Sequence, residues 1–332
     1  MGALLRTLAA VLAVAAALRL CLSAVPTGWA EPEGGVPRFT SDEWRLSLQR
    51  PPTGEWILLL GGSGAGAAVD LHGLPEEVVG QTMWWGRALD VASTLEWTLA
   101  HLPAARRPRA VVWGANLVSF ARRPDLGPAW LSPPWLAFPD EGIAGRVGGR
   151  PLARGILEAD CGAVTRARYL LGRADPWFER RESVQMGLAR GFRALLFRGD
   201  GLEPPMERLN LAETDPSKRR RATEALAAVG LFGEDPFDSV EVRAAGEIAS
   251  SCARRGIPLL LFACPEHSEH RARYHPKARE AFFRLLGSLG APVLDLFEAI
   301  PDEGFLDQGH VNRWGRPVAM EALVRFLREQ GY

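Results

Sequence analysis

Ser63 lies where a predicted strand runs into a glycine-rich turn. The stretch ILLLGGSGAGAAVD, residues 57–70, places it after four apolar residues and among glycines that leave little side-chain bulk around its hydroxyl. Three kinds of site use such a turn: a phosphate cradle, a dinucleotide-binding turn and a serine nucleophile presented at the end of a strand. Other parts of the sequence must decide among them.

The glycines around Ser63 fit neither nucleotide-binding pattern well. A P-loop requires a lysine after its last glycine, and none follows here. The dinucleotide pattern G-x-G-x-x-A can be aligned with residues 62–67, but it expects an acidic residue about 20 positions later. Residues 81–87 carry no carboxylate. The sequence therefore favours a serine nucleophile and predicts no cofactor.

A serine nucleophile needs a general base, and the C-terminal stretch FLDQGHVNRWGR, residues 305–316, supplies a candidate. Asp307 precedes His310 by three residues in a loop before the last predicted helix. At this spacing the carboxylate can orient the imidazole while Nε2 faces the serine. A lone histidine in a polar loop is often an ordinary surface residue, so this interpretation depends on the other residues of the set.

Two further positions are candidates for an oxyanion hole. Asn116 follows the apolar run Ala110–Trp113 and the small residue Gly114, so its side-chain amide could donate to a developing negative charge. The alternative is an asparagine that only forms a local turn. Gly80 ends a short β-like run and could offer its backbone N–H, or be an ordinary turn glycine.

The elements that would position these residues alternate between strands and helices. Apolar runs have the length and flanks of buried parallel strands, and helical patterns lie between and after them. This alternation predicts an α/β fold, a three-layer α/β/α sandwich with a mostly parallel sheet, over residues 55–332. The predicted strands are Ile57–Leu60, Ala110–Trp113, Pro258–Ala263 and Val293–Leu296, and the predicted helices are Trp84–Leu102, Val240–Arg255, Pro276–Leu289 and Pro317–Gln330.

Residues 122–234 interrupt the alternation and are predicted to form a mainly helical insertion. A Pro- and Gly-rich stretch comes first, and amphipathic patterns follow at Arg154–Leu171 and Trp177–Phe197. Further along, the basic run Lys218–Arg221 is interpreted as the solvated start of a helix rather than as a binding patch.

The N-terminal 30 residues resemble a secretory signal peptide or an N-terminal membrane anchor. Arg6 precedes residues 7–18, which carry no charge, and Arg19 ends this run below the about 20 residues that a comfortable span needs. A buried helix of a cytosolic protein is a third interpretation. Residues 31–54 are predicted to be a linker. On either export interpretation the protein is extracytoplasmic: secreted after cleavage, or anchored in the membrane and facing the periplasm or cell exterior.

The charge balance and the cysteine spacing bear on whether the protein binds nucleic acid or a metal ion. Lys and Arg together number 39, as do Asp and Glu, so no net charge favours nucleic acid. The four cysteines show no spacing typical of a metal site. A disulfide between Cys252 and Cys264 is the pairing that their predicted positions on neighbouring elements suggest.

Ser63, Gly80, Asn116 and the Asp307/His310 pair occur in the order, and at the strand ends, that define the SGNH or GDSL-type hydrolase superfamily, which this chain resembles. The resemblance implies a flavodoxin-like strand order, with Ser63 as nucleophile, His310 as base and Asp307 as the acid that orients it. It also implies that the backbone N–H groups of Ser63 and Gly80, with the side chain of Asn116, hold the oxyanion.

The resemblance covers residues 56–120 and 240–332, and it has two departures. Gly62 stands where the family usually has Asp. The family also usually has an Asn shortly before the glycine that corresponds to Gly80, and Pro75–Val79 contains none. The N-terminal segment, the insertion and the closing D-x-x-H-x-N-x-x-G stretch (Asp307, His310, Asn312, Gly315) resemble extracytoplasmic members of the family that modify cell-envelope polysaccharides. Those relatives move or remove acetyl and similar acyl groups.

The expected function is therefore serine-dependent transfer of an acyl group from an ester, through an acyl-Ser63 intermediate. Water as acceptor would make the protein an esterase, and a sugar hydroxyl would make it an O-acyltransferase. The expected substrate is an acylated carbohydrate or small ester, with Trp84 and Trp85 flanking the acceptor and a membrane acyltransferase as a partner. The alternative is a non-catalytic SGNH-fold envelope protein, a glycan-binding or assembly module.

Overall fold

Five short strands form one sheet in which every neighbouring pair is parallel. The computed structural model describes residues 56–69, 78–80, 87–122, 143, 146–147, 216–228 and 230–332. The sheet order is β2-β1-β3-β4-β5. The strands are β1 Ile57–Gly61, β2 Val78–Gly80, β3 Ala110–Ala115, β4 Leu259–Ala263 and β5 Val293–Asp295.

The three central strands are apolar throughout because both of their faces are covered. Every residue of β1, β3 and β4 is buried, which is typical of parallel sheets flanked by helices. The four strands predicted from apolar runs are confirmed, with ends that differ by at most two residues. β2 corresponds to the short β-like run before Gly80. The α/β class and the parallel sheet are therefore confirmed.

Seven α-helices lie within the described residues. Three of the four predicted helices are confirmed within two residues at each end, and the fourth begins at Ala88, four residues later than predicted, because Arg87 is extended. Asp238 begins one of them by accepting a hydrogen bond from the backbone N–H of Val240 (2.8 Å). The helices are α1 Ser63–Ala68, α2 Ala88–His101, α3 Pro216–Ala228, α4 Ser239–Ala253, α5 Ser268–Arg271, α6 Pro276–Ser288 and α7 Gly315–Glu329.

One continuous apolar cluster joins α1 and α7 to one set of strand side chains. It contains Ile57 and Leu59 of β1, Phe262 of β4, and Leu323 and Phe326 of α7. Since neighbouring residues of a strand point to opposite faces, the alternate positions of β1 face away from this cluster. The cluster therefore fixes α1, the helix that begins with Ser63, against the sheet.

Two glycines let α1 approach the strands closely. A Cβ atom at Gly61 would lie 2.5 Å from Cβ of Ala65 and 2.8 Å from the backbone oxygen of Gly114. A Cβ atom at Gly114 would lie 2.7 Å from the same Ala65 Cβ. Neither position has room for a side chain, so the glycines before and opposite Ser63 are explained by packing.

The predicted disulfide is wrong, because Cys252 and Cys264 are both free and buried. Cys252 lies near the end of α4, and Cys264 directly follows β4. The end of α4 precedes β4 and Cys264 follows it, so the full length of the five-residue strand lies between them. A strand rises about 3.3 Å per residue. Burial raises the pKa of the Cys252 thiol to about 12, so this thiol is unreactive.

The basic run at 218–221 belongs to a helix, as expected, but it is not solvated throughout. Arg219 is buried, and its Nε donates to Oε2 of Glu269 at 3.1 Å. Residues 1–55, Trp84, Trp85 and most of the predicted insertion lie outside the described residues. None of the helices in the described part of the chain is long and apolar enough to cross a membrane.

Candidate active site

Ser63 occupies the first turn after β1. It is the first residue of α1, it follows Gly62, and it is partly exposed. All five strands run the same way, so their carboxyl ends share one edge of the sheet, where open α/β sheets build their ligand sites. The fold thus places this hydroxyl at the edge predicted for the site.

Asp307 and His310 form a hydrogen-bonded pair. Nδ1 of His310 lies 2.8 Å from each carboxylate oxygen of Asp307. The carboxylate is itself held, because its Oδ1 accepts from the backbone N–H groups of Gly309 (3.0 Å) and His310 (2.9 Å). With Nδ1 on Asp307, Nε2 points away from the carboxylate and is the ring atom that can exchange a proton with a substrate group.

The pair shifts the pKa values of both groups in the direction that a base and its orienting acid require. Burial alone would lower the pKa of His310, but the hydrogen bond and the charge of Asp307 outweigh it and raise this pKa above its ordinary value. Burial would raise the pKa of Asp307, but the hydrogen bond from His310 and the two backbone donors lower it. Asp307 is therefore ionised at neutral pH, and His310 is a stronger base than free histidine.

Asn312 holds the loop that carries the pair. Its side chain is fully buried, and Nδ2 donates to the backbone oxygens of Glu303 (2.8 Å) and Phe305 (3.1 Å). Its Oδ1 accepts from the backbone N–H groups of Trp314 (2.9 Å) and Gly315 (3.2 Å). The asparagine of the closing D-x-x-H-x-N-x-x-G stretch thus joins the two arms of the loop and fixes the backbone on both sides of His310.

Gly64 is the point at which three distant parts of the sequence meet. A Cβ atom at Gly64 would lie 3.2 Å from the backbone oxygen of Gly309 and 3.8 Å from Nδ2 of Asn116. Gly64 directly follows Ser63, and Gly309 directly precedes His310. The fold therefore brings together the serine turn, the histidine loop and the end of β3.

The contact between the serine turn and the histidine loop is made by the backbone. Among the hydrogen bonds of the described residues, none joins Ser63 to His310. Catalytic hydrogen bonds are often long or absent without substrate and tighten only when it binds. The arrangement places the two side chains on neighbouring backbone segments.

Asn116 has the local role that the sequence offered as one of its two interpretations. Its Oδ1 accepts from the backbone N–H (3.1 Å) and the hydroxyl (3.0 Å) of Ser119, so the residue caps the short 3₁₀ helix Leu117–Phe120. This capping identifies which end of the amide is oxygen. The amide nitrogen is then the end near Gly64, and it can donate a hydrogen bond on the side of the serine turn.

Gly80 ends β2, the strand beside β1. Leu59 is its partner in the parallel register, so Gly80 lies at the same edge of the sheet as the serine turn. Trp84 and Trp85, predicted to flank the acceptor, are outside the described residues. The structure thus brings Ser63, Asn116 and the Asp307/His310 loop together and places Gly80 on the neighbouring strand end.

A buried polar cluster that the sequence analysis did not single out lies beside the histidine loop. Tyr274 Oη is 3.0 Å from Nε2 of His270, and Thr223 Oγ1 is 3.3 Å from its Nδ1. Glu266 Oε2 is 3.6 Å from Nε2 of the same ring, and all four side chains are buried. Glu266, His270 and Tyr274 recur at every fourth position, which was the available sequence signal.

This cluster is uncharged at neutral pH and supports the site through the backbone. Burial raises the pKa of Glu266 to about 8 and lowers the pKa of His270 to about 4. The backbone N–H of His267, between these two residues, donates to the backbone oxygen of Gln308 at 3.0 Å. The segment after β4 is therefore tied to the residue next to Asp307.

No group of three or more His, Cys, Asp and Glu side chains in the described part of the chain is arranged to hold a metal ion. Comparison with known proteins yields no matching family model and no matching curated protein. A functional assignment for this chain accordingly depends on the residues and contacts described above.

Proposed function

We propose that this protein is a serine-dependent acyl-transfer enzyme of the SGNH hydrolase type, an esterase or O-acyltransferase. The observation that carries the proposal is the closeness of Gly64 to Gly309 and Asn116: a Cβ atom added at Gly64 would lie 3.2 Å from the backbone oxygen of Gly309 and 3.8 Å from Nδ2 of Asn116. It joins the backbone beside a serine, the backbone beside an Asp-oriented histidine, and a side-chain amide donor. Nucleophile, base and oxyanion donor are the three functions that acyl transfer from an ester requires.

The proposed mechanism assigns a step to each group. Oγ of Ser63 attacks the ester carbonyl while Nε2 of His310 takes its proton, and Asp307 stabilises the imidazolium that forms. The backbone N–H groups of Ser63 and Gly80, together with Nδ2 of Asn116, hold the oxyanion. The ester oxygen then leaves with the proton from His310, and an acyl-Ser63 intermediate remains.

The second half of the reaction regenerates the serine. His310 removes a proton from water or from a sugar hydroxyl, whose oxygen attacks the acyl carbon, and Ser63 leaves with that proton. The products are a carboxylic acid when water attacks and a new sugar ester when the hydroxyl attacks. The same three side chains serve both outcomes, so the acceptor is determined by what the site binds.

The fold supports this assignment. The strand order β2-β1-β3-β4-β5 is that of flavodoxin-like doubly wound sheets, which bind ligands at the carboxyl ends of their strands. The proposal includes a three-layer sandwich, with α1 and α7 on one face of the sheet and α2 and α4 on the other. It also includes an SGNH-type site in which Gly62, directly before the nucleophile, stands in place of the acidic residue usual in the family.

The proposed substrate is an acylated carbohydrate of the cell envelope, and the proposed location is outside the cytoplasm. Both follow from the resemblance stated above and from the signal-like or anchor-like character of residues 1–30. An anchor would keep the enzyme at the membrane, where a membrane acyltransferase could supply the acyl group.

Covalent labelling tests the nucleophile directly. The full-length protein is treated with a fluorophosphonate probe, and peptide mass spectrometry locates the adduct. We expect the adduct on Ser63, and no labelling of a Ser63→Ala variant whose circular dichroism matches that of the wild type. A folded wild-type protein that stays unlabelled would overturn the proposal and favour the non-catalytic glycan-binding or assembly module.

A further inference from the structure

Trp314 is an exposed tryptophan on the loop that carries the proposed base. It is 48% exposed, whereas Trp56 and Trp113 are each 1% exposed. Among the described residues, the large hydrophobic side chains that stand out as exposed are Trp314 and Val318, at 42%. Tryptophan is enriched at interfaces, because its ring offers a large apolar face and its indole N–H can donate a hydrogen bond.

The indole is held in position without any ligand. The backbone N–H of Trp314 donates to the fully buried Asn312, which also binds the arm of the loop that contains Phe305. The guanidinium carbon of Arg313 lies over the indole, 4.2 Å from the ring centroid. A ring fixed by its backbone and by a stacked cation loses little freedom when a ligand binds, which favours affinity.

The same loop fixes how far the indole is from the proposed base. Trp314 is four residues from His310, so their Cα atoms are at most about 14 Å apart even for a fully extended chain. The chain between them is not extended, because Leu306 N–H donates to the backbone oxygen of His310 (2.7 Å) and Phe305 bridges Val311. The indole is therefore carried by the same short, folded loop as the proposed base.

The chemistry of the Trp314 indole and the Arg313 guanidinium fits a sugar ring. A pyranose presents one face of C–H groups, which packs on an aromatic ring, and a rim of oxygens, which accept hydrogen bonds from a guanidinium. A small ester without a sugar has neither the face nor the rim. The pair would therefore distinguish an acylated carbohydrate from a simple ester.

We propose that Trp314 and Arg313 form a carbohydrate-binding subsite, in which Trp314 stacks on a sugar ring of the substrate and Arg313 donates hydrogen bonds to its oxygens. The inference rests on the proposed function, because it assigns the substrate class of that same site. The proposed subsite binds substrate and takes no part in the steps assigned to Ser63, His310 and Asp307.

The test compares two substrates across matched variants of the full-length protein. The substrates are O-acetylated cello-oligosaccharides and ethyl acetate, which has no ring to pack on the indole; release of acetate measures turnover of both. For Trp314→Ala we expect KM for the oligosaccharides to rise and the ratio of kcat/KM between the two substrates to fall about tenfold, the value of a lost aromatic contact. Trp314→Phe should recover part of the ratio. Val318→Ala, which removes an equally exposed apolar side chain one helical turn away, should leave it unchanged.

Binding provides a readout that does not depend on turnover. In a Ser63→Ala background, titration with the acetylated oligosaccharides should quench tryptophan fluorescence, and adding Trp314→Phe should reduce the quenching. An unchanged ratio in Trp314→Ala, an equal loss on both substrates, or no oligosaccharide binding by the Ser63→Ala protein would each overturn the subsite. Failure of the catalytic proposal is distinguishable, since it would appear as absence of Ser63 labelling and of ethyl acetate turnover.

Discussion

A Cβ atom at Gly64 would lie 3.2 Å from the backbone oxygen of Gly309, so the turn after Ser63 and the loop before His310 approach each other too closely for an added side chain to fit without a shift. This close approach couples the position of the proposed nucleophile to that of its base. A Cβ at Gly64 would press on a backbone oxygen, which cannot rotate away as the end of a long side chain can.

The first prediction uses this close approach. Gly64→Ala should displace the two segments by a few tenths of an ångström and lower kcat about tenfold, less than the about 10²-fold that a 1 Å misplacement can cost. Steady-state kinetics on p-nitrophenyl acetate would measure it. Gly246→Ala in α4 is the matched control, because a Cβ there meets nothing within 4 Å. It should leave kcat unchanged and raise stability by about 0.5–1 kcal/mol. Equal kcat values for both variants would contradict the prediction.

The second prediction separates the two hydrogen-bonding ends of Asn116. Asn116→Asp keeps an oxygen that can accept from Ser119 but replaces the amide donor near Gly64 by a second oxygen. We expect kcat to fall about 10²–10³-fold, as when one oxyanion donor is lost. The melting temperature should stay near that of the wild type. Ser119→Ala, which weakens the cap and leaves the donor in place, should have the smaller effect on kcat, and the reverse order would contradict the donor role.

The third prediction concerns pH. Asp307 raises the pKa of His310, while burial acts to lower it. Activity should therefore be lost as the pH falls through this raised pKa, because the protonated ring cannot act as a base. Asp307→Asn should lower kcat by about 10⁴-fold. The same substitution should move the acidic limb of the kcat/KM profile to lower pH. An acidic limb that stays in place, measured from about pH 5 to 9, would show that Asp307 does not control the titrating group.

The fourth prediction concerns stability and the buried Glu266. Its pKa is raised from 4.5 to about 8 on folding, so between these values the folded protein keeps a proton that the unfolded chain has released. The stabilisation that this retained proton gives to the folded protein is fully present below pH 4.5, and the free energy of unfolding falls as the pH rises towards 8. His270, whose pKa is lowered from 6.5 to about 4, acts in the opposite sense only below about 6.5.

The window from about pH 6.5 to 8 therefore isolates Glu266 from its histidine neighbour. Glu266→Gln should gain unfolding free energy relative to the wild type as the pH rises through this window, as measured by urea denaturation at several pH values. Glu280→Gln provides a control, since Glu280 is exposed and pairs only with Arg284 on the surface of α6. A difference between Glu266→Gln and the wild type that does not change with pH would contradict a buried, protonated Glu266.

Much of the local structure was predictable because it depends on patterns within short segments. Continuous apolar runs identified β1, β3, β4 and β5, and helical periodicity identified the helices that pack on them. Asp307 and His310 are three residues apart, so their pairing also needs only local chain geometry. Asn116 was predicted in two alternative roles, and its capping of the 3₁₀ helix Leu117–Phe120 bears out the local one.

Other features were not predictable because they depend on packing between distant segments. Arg219 is buried, although its run of basic residues suggested a solvated helix, since Glu269 from another helix pairs with it. Cys252 and Cys264 are unpaired because the length of β4 separates them. The Glu266–His270 cluster was missed because a spacing of four does not reveal which side chains a neighbouring helix covers.

By itself, the sequence determined the type and order of the elements and the chemical identity of the serine, amide and Asp–His groups, since these are read from composition and short spacings. Tertiary structure decided that Gly64 lies close to both Gly309 and Asn116, and that Trp314 is left in water. The physical reason is that parallel strands gather their carboxyl ends at one edge however far apart they lie in the chain, and that burial is a property of the whole packed core.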